Sequence, residues 1–160
     1  MQSVERERVL KTLQENYNEL SKQLEGITDE KAGLRPAENE WSIKETLGHL
    51  LVCEEYAHAR LVRMAYETNP YLSAFNDHQL LEIRGYNSTK AEEILNTFLA
   101  FGHENLELLK KLDAEQWQRT GRHEERGTIT IHYIAEKMLA EHHIEHLGQI
   151  QNLKEWIQTQ

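Results

Sequence analysis

The run Leu139-Ala-Glu-His142-His-Ile-Glu-His146-Leu-Gly-Gln-Ile150 contains two histidines that are four residues apart. On an α-helix, this spacing places both imidazoles on one face, about one turn apart. At roughly 100° per residue, that face is also the apolar face of the surrounding sequence. Its stripe consists of Ile131, Ile134, Ala135, Met138, Leu139, Leu153, Trp156 and Ile157. The run therefore predicts a long amphipathic helix with His142 and His146 near the centre of its buried face.

Two imidazoles on a buried face need partners, since an unpaired buried polar group costs roughly 1–3 kcal/mol. A metal ion would satisfy both rings, whereas a core histidine is ordinarily satisfied by hydrogen bonds inside the protein. His143 points roughly 100° away from His142 and lies at the edge of the apolar stripe. A His143/His146 pair is therefore a competing ligand assignment.

A catalytic type of metal site needs a third protein ligand. The best candidate is His49, on a second predicted helix whose start is marked by the capping-box residues Ser42 and Glu45. His49 lies just outside the apolar stripe of that helix, so periodicity supports it only weakly. Cys53, one turn later, is an alternative soft ligand, although a free cysteine usually packs as a small hydrophobe.

The composition indicates one domain, residues 1–160, since 160 residues suffice for a core that folds unaided. A net charge of −9 argues against a nucleic-acid partner, which requires a basic surface. No apolar run approaches the roughly 18–20 residues that span a bilayer, and the charged N-terminus lacks the apolar core of a signal peptide. A single cysteine excludes an internal disulfide framework. The expectation is a cytoplasmic protein that binds neither nucleic acid nor membrane.

The periodicity predicts an all-α fold with four long helices. They cover residues 4–24, 42–66, 89–112 and 130–156. Thr89 and Glu92 are expected to form a capping box at the start of the third, and Asp77 to cap a short helix before it. Residues 119–127 are expected to form a charged loop, and only residues 128–131 show a brief strand-like alternation.

Three landmarks together resemble the DinB-like superfamily of metal-binding helical bundles. They are Pro36-Ala-Glu-Asn-Glu-Trp41-Ser-Ile-Lys-Glu-Thr-Leu-Gly-His49-Leu, Gly127-Thr-Ile-Thr130 and His142-x-x-x-His146-Leu-Gly-Gln-Ile150. They occur in the family's order and span nearly the whole chain. The resemblance implies an up-and-down four-helix bundle with metal ligands at His49, His142 and His146. His143 stands where many relatives have an aspartate, so the surroundings of the ligands do not carry over.

Three histidines would suit Zn²⁺, Ni²⁺ or Fe²⁺ and leave a coordination position open for water or substrate. Without a carboxylate ligand, the ion would keep its full charge and lower the pKa of a bound thiol or water. Characterised branches of the resembled family use low-molecular-weight thiols such as bacillithiol and mycothiol. The resemblance therefore favours a metal-dependent thiol S-transferase acting on small electrophiles. A metal-dependent hydrolase of small molecules and a non-catalytic metal-binding bundle are the alternatives.

Two further expectations concern the surroundings of the site and the assembly. Metal-bound histidines usually donate their second ring nitrogen to a polar neighbour. The candidates for this role are Glu145, Gln149, Tyr56 and Glu45. The second helix carries Val52, Val62 and Met64 away from its main stripe, and surplus apolar surface often marks an interface. Twofold pairing is the commonest closed assembly, so a homodimer is expected.

Overall fold

A computed structural model describes residues 2–160 and contains four long helices around one core. The final helix, residues 131–157, is continuous but has a π-helical segment inside it. The helices are α1 (Gln2–Gln23), α2 (Asp29–Ala32), α3 (Ile43–Tyr66), α4 (Asp77–Arg84), α5 (Ala91–Lys111), α6 (Ile131–Tyr133), the π-helical segment (Ile134–Glu141) and α7 (His142–Ile157). The predicted four-helix bundle is confirmed. Among the helices of residues 2–160, none is both long and apolar enough to cross a membrane.

The resemblance implied a bundle whose helices alternate strictly up and down. In this chain two neighbouring helices, α3 and α5, depart from that alternation. Near the start of α3, Asp29 bonds to both Lys44 and the first residue of α5, Ala91. Near the end of α3, Arg119, which follows α5, donates from Nε to the carbonyl oxygen of Met64 at 2.8 Å. The two helices therefore run parallel. Parallel neighbours require the chain to return along the bundle, and residues 67–90, the crossover, make that return.

The crossover contributes to a small sheet that sequence periodicity did not reveal. β1 (Tyr71–Leu72) pairs in parallel with β2 (Thr120–His123), which pairs antiparallel with β3 (Gly127–Thr130). The expected charged loop at residues 119–127 is thus partly a strand and a tight hairpin turn. β2 has only four residues, mostly polar, which is too short to show apolar alternation.

Helix starts show where local signals hold and where tertiary contacts replace them. The predicted capping box of α3 forms, with Glu45 N donating to Ser42 Oγ at 3.1 Å and Ser42 N to Glu45 Oε1 at 3.0 Å. The box predicted at Thr89 does not form. Instead, the backbone N–H of Ala91 donates to Asp29 Oδ1 at 2.8 Å. A carboxylate from α2 therefore caps α5.

The apolar residues behind the homodimer expectation lie mostly inside the monomer. Val52 and Met64 are fully buried in the core, and Val62 alone is exposed among these three residues. The second helix can bury residues on several sides because α5, the final helix and the crossover all pack against it. The homodimer stays a prediction, without the surplus apolar surface that suggested it.

Candidate metal centre

α3 and the final helix bring His49, His142 and His146 together. The Nε2 atom of His142 lies 3.0 Å from Nε2 of His49 and 3.0 Å from Nε2 of His146. The ring centroids of the three imidazoles are 4.4 to 4.9 Å apart. Between the two helices, Nε2 of His142 is thus close to Nε2 of both other rings.

The second ring nitrogens of two of these histidines face acceptors. His146 Nδ1 lies 2.8 Å from Gln149 Oε1, and His49 Nδ1 lies 2.9 Å from Asp77 Oδ2. An acceptor at Nδ1 favours the tautomer with its proton there, which leaves a lone pair on Nε2. Two lone pairs then point at His142, whose single N–H cannot satisfy both contacts well. A cation would satisfy all three nitrogens, so the donor set fits a metal ion.

The electrostatic environment keeps two of the rings neutral. Burial, followed by the nearby charges of His146 and His49, lowers the pKa of His142 to about 3. Burial also lowers the pKa of His146, although the hydrogen bond to Gln149 opposes this. Neutral imidazole is the form that binds a metal. Both rings are therefore in ligand form at neutral pH.

Asp77 is a site residue to which the sequence assigned another role. It was predicted to cap α4, but Asn76 is the cap, accepting from Gln79 N at 3.0 Å. Asp77 is the first residue of α4, and its carboxylate lies against His49. The angle at His49 Nδ1 falls outside a hydrogen bond, so this nitrogen and Asp77 Oδ1 are both buried without a hydrogen-bond partner among residues 2–160. Only the crossover brings Asp77 here, so no sequence spacing could indicate it.

Of the four residues expected to orient the imidazoles, Gln149 alone makes a hydrogen bond to one. Glu145 is exposed, because it lies roughly 100° around the helix from His146. Tyr56 stacks on Phe75, with ring centroids 4.0 Å apart. Glu45 pairs with Arg35 at 2.6 Å while capping α3. The expectations for Glu145, Tyr56 and Glu45 are corrected accordingly.

Cys53 was expected to pack as a small hydrophobe, but it lies beside the three histidines. Its Sγ is 3.8 Å from His49 Nε2. Donor atoms of Cys53, His49 and His142 all lie within 4.8 Å of one another. Burial is the main cause that raises the pKa of the Cys53 thiol, so it is protonated at neutral pH. His146 is the better third donor, because its Nε2 already carries an available lone pair.

His143 faces the core and not the three rings. The sequence placed it at the edge of the apolar stripe, but only 3% of its surface is exposed. The π-helical segment before it forms i→i+5 hydrogen bonds and so breaks the regular angular step assumed for an α-helix. His143 Nε2 lies 2.7 Å from Glu54 Oε1. The competing His143/His146 ligand pair is therefore not brought together.

A buried polar network connects the four long helices next to the three rings. Glu54, which is fully buried, accepts hydrogen bonds from Tyr17 Oη at 2.8 Å and Asn105 Nδ2 at 2.8 Å, and contacts His143. Burial, and then the charge of Glu54, raises the pKa of Tyr17. One residue comes from each of α1, α3, α5 and α7. The network therefore fixes the helices relative to one another beside the site.

A cavity of about 290 Å³ opens beside His49, Cys53 and His142. The crossover, the β2–β3 hairpin and the π-helical segment form its walls. Its volume is at the lower end of small-molecule pockets, roughly 300–1,000 Å³. The candidate metal centre thus has a neighbouring space for a small molecule.

The fold and the three converging histidines define a four-helix bundle with a candidate metal centre. A model of the DinB superfamily matches residues 12–150, and the chain belongs to that superfamily. The structure is also similar to YfiT from Bacillus subtilis, described as a probable metal-dependent hydrolase with an unusual four-helix bundle topology. The TM-score is 0.80 at 17% sequence identity, covering 92% of this chain and 86% of that chain. No curated protein matches the chain significantly.

Proposed function

We propose that the protein is a metal-dependent enzyme in which His49, His142 and His146 hold a divalent cation. The observation that carries this proposal is the convergence of three Nε2 atoms, two of them from rings whose Nδ1 faces an acceptor. A Zn²⁺, Ni²⁺ or Fe²⁺ ion there would lower the pKa of a thiol or water in its open position. Membership of the DinB superfamily and the description of YfiT support a metal-dependent role.

The reaction we propose is transfer of a low-molecular-weight thiol to a small electrophile. Asp77, a carboxylate of the cavity wall, lies against His49, with Oδ2 2.9 Å from Nδ1. A thiol, with an ordinary pKa of about 8.5, needs far less help in losing its proton than water, with about 15.7. This difference in pKa favours a thiol over water as the nucleophile.

The surrounding residues would position the ligands and shield them from water. Trp41 packs against His49, with ring centroids 5.1 Å apart. Gln149 bonds to Nδ1 of His146 and would hold its tautomer, and the Asp77 carboxylate lies 2.9 Å from Nδ1 of His49. Such neighbours commonly change metal affinity or activity by about 10–100-fold.

A second candidate is hydrolysis of a small molecule, favoured by the description of YfiT as a probable metal-dependent hydrolase. Water would take the place of the thiol in the same open position. The two reactions separate by their need for thiol: a transferase consumes free thiol together with the electrophile, whereas a hydrolase turns over without it.

The first test is the metal content of the purified protein, followed by turnover of the metal-loaded protein with a thiol and an electrophile. We expect one divalent ion per chain and a loss of free thiol that the His142→Ala variant abolishes. The matched control is His103→Ala, since His103 is exposed on α5. Absence of stoichiometric metal after reconstitution would overturn the proposed function. Turnover without thiol would replace the transferase by the hydrolase.

A further inference from the structure

The cavity beside the three histidines has a cationic wall. Arg60 from α3, Arg126 from the β2–β3 turn and Lys137 from the π-helical segment line it, with the carboxylates Asp77 and Glu125. Three cations and two carboxylates therefore line the cavity, and one of the cations, Lys137, is paired with Glu141 outside it. The chain as a whole has a net charge of −9, so the grouping of these cations runs against the charge of the molecule.

Arg60 is fixed in place but has no carboxylate partner. It is only 6% exposed, and its Nη2 donates to the carbonyl oxygen of Ser73 at 2.7 Å. Its guanidinium lies 5.2 Å from the ring centroid of Phe75, which stacks on Tyr56. Among residues 2–160, no ion pair to Arg60 is formed, and none of its other N–H groups is sealed from solvent. Arg60 therefore has N–H groups available to a ligand in the cavity.

Two neighbours of Arg60 add N–H donors to the same wall. Arg126 is exposed and donates from Nη1 to Tyr133 Oη at 3.1 Å, a neutral partner. His123 Nδ1 accepts the backbone N–H groups of Glu125 and Arg126 at 3.1 and 3.2 Å. That acceptor role places the ring proton on Nε2, which makes it a donor. Lys137, in contrast, is already paired with Glu141 at 2.9 Å.

We propose that Arg60 and Arg126 bind a carboxylate of the substrate, which is therefore a small carboxylic acid. The placement of its reacting end toward His49 and His142 rests on the proposed function. The planar guanidinium matches a carboxylate in bidentate geometry. Lys137 is paired with Glu141, so Arg60 and Arg126, which form no ion pair among residues 2–160, are the cations of this wall that remain available to a carboxylate.

The test is a calorimetric titration of the full chain with benzoate, with benzamide as the uncharged control. We expect benzoate to bind the metal-free protein more tightly than benzamide. The Arg60→Met and Arg126→Met substitutions should each weaken benzoate binding at least tenfold, and Arg60→Lys should weaken it less than Arg60→Met. The matched control is Arg122→Met, since Arg122 is exposed on β2 and does not line the cavity.

Circular dichroism of each variant separates lost binding from lost folding, and the exposed Arg126 provides a substitution that spares the core. Equal binding of benzamide, no binding of benzoate, or benzoate binding unchanged in both arginine variants would overturn the proposal. Benzoate binding that requires the metal and survives both substitutions would also overturn it, by placing the carboxylate on the ion. A protein that binds no metal would contradict the proposed function. The titration of the metal-free protein would still show whether Arg60 and Arg126 bind a carboxylate.

Discussion

His146 combines a ring nitrogen directed at the other two histidines with a hydrogen bond that fixes its tautomer. We expect His146→Ala to abolish metal binding and activity but to leave the bundle folded. The core is large enough to fold without metal, so the destabilisation should be about 1–3 kcal/mol. Metal analysis and circular dichroism check this, with the exposed His103→Ala as the control.

Either of two results would contradict that expectation. A His146→Ala protein that is unfolded at room temperature would make the metal structural. A folded variant that still binds one ion per chain would make Cys53 the third ligand, since its Sγ lies 3.8 Å from His49 Nε2.

His142 should make the metal-free protein sensitive to acid. Its folded-state pKa is about 3, whereas an unfolded histidine has about 6.5. Above pH 6.5 both states are neutral. As pH falls from there toward 3, only the unfolded state takes up the proton, so the free energy of unfolding decreases, by about 1 kcal/mol at pH 5.5.

Urea unfolding at pH 7.5 and 5.5 measures this effect. We expect His142→Gln to lose less stability between the two pH values than the unmodified chain does. Equal losses would show that His142 takes up its proton as readily in the folded state as in the unfolded one.

At the residue scale, the sequence predicted which side chains share one face of a helix. It did not predict which side chains of different helices come into contact. The i, i+4 pair His142 and His146 followed from helical geometry, and the rings do share a face. His49 required a family resemblance. Asp77 and Arg60 reach the site and the cavity through the crossover and α3, and no local pattern encodes how those segments are placed. The ligand roles themselves stay predictions.

At the level of the elements, the π-helical segment explains the main error in the final helix. A regular 100° step placed His143 at the edge of the stripe, but the wider turns of residues 134–141 shift the face that follows. His143 then continues the buried face with Leu147 and Ile150. Apolar periodicity does not reveal a π-helical segment. The prediction therefore assumed α-helical geometry throughout the final helix, and this assumption was wrong for residues 134–141.

Two helical glycines differ sharply in the space around them. A Cβ at Gly48 would lie 2.1 Å from Cδ2 of the buried Tyr86 ring, whereas a Cβ at Gly148 would meet nothing within 4 Å. Gly48→Ala should destabilise the protein by about 1–3 kcal/mol through overpacking. Gly148→Ala should stabilise it by up to about 1 kcal/mol through helix propensity. Thermal unfolding compares them, and similar melting temperatures for the two variants would contradict the close packing at Gly48.

At the scale of the whole molecule, the metal should add stability without being required for folding. A ligand present at about 1,000 times its Kd stabilises by about 4.1 kcal/mol. For a chain of this size that corresponds to a rise in melting temperature of roughly 8–16 °C. Chelation should reverse this rise and leave the helical circular dichroism intact. Unfolding on chelation at room temperature would instead indicate a structural metal.

The number and rough bounds of the long helices followed from periodicity, because each buries one apolar face. Their directions did not. α3 and α5 run parallel because residues 67–90 return along α3, and apolar patterning does not distinguish that path from a simple antiparallel turn.

Within the crossover, α4 packs only lightly on the bundle, since it has no buried residue. Amide hydrogens in such a segment exchange through cheap local opening. Each opening would take Asp77 away from His49. If the metal fixes His49, loading the protein with metal should slow amide exchange in residues 77–84 and leave exchange in α1 unchanged. The Asp77→Ala substitution should remove this protection of residues 77–84. Exchange measured by mass spectrometry would then report occupancy of the metal centre from α4, a helix that contributes none of the proposed ligands. Equal exchange in residues 77–84 with and without metal would contradict this coupling between α4 and the metal centre.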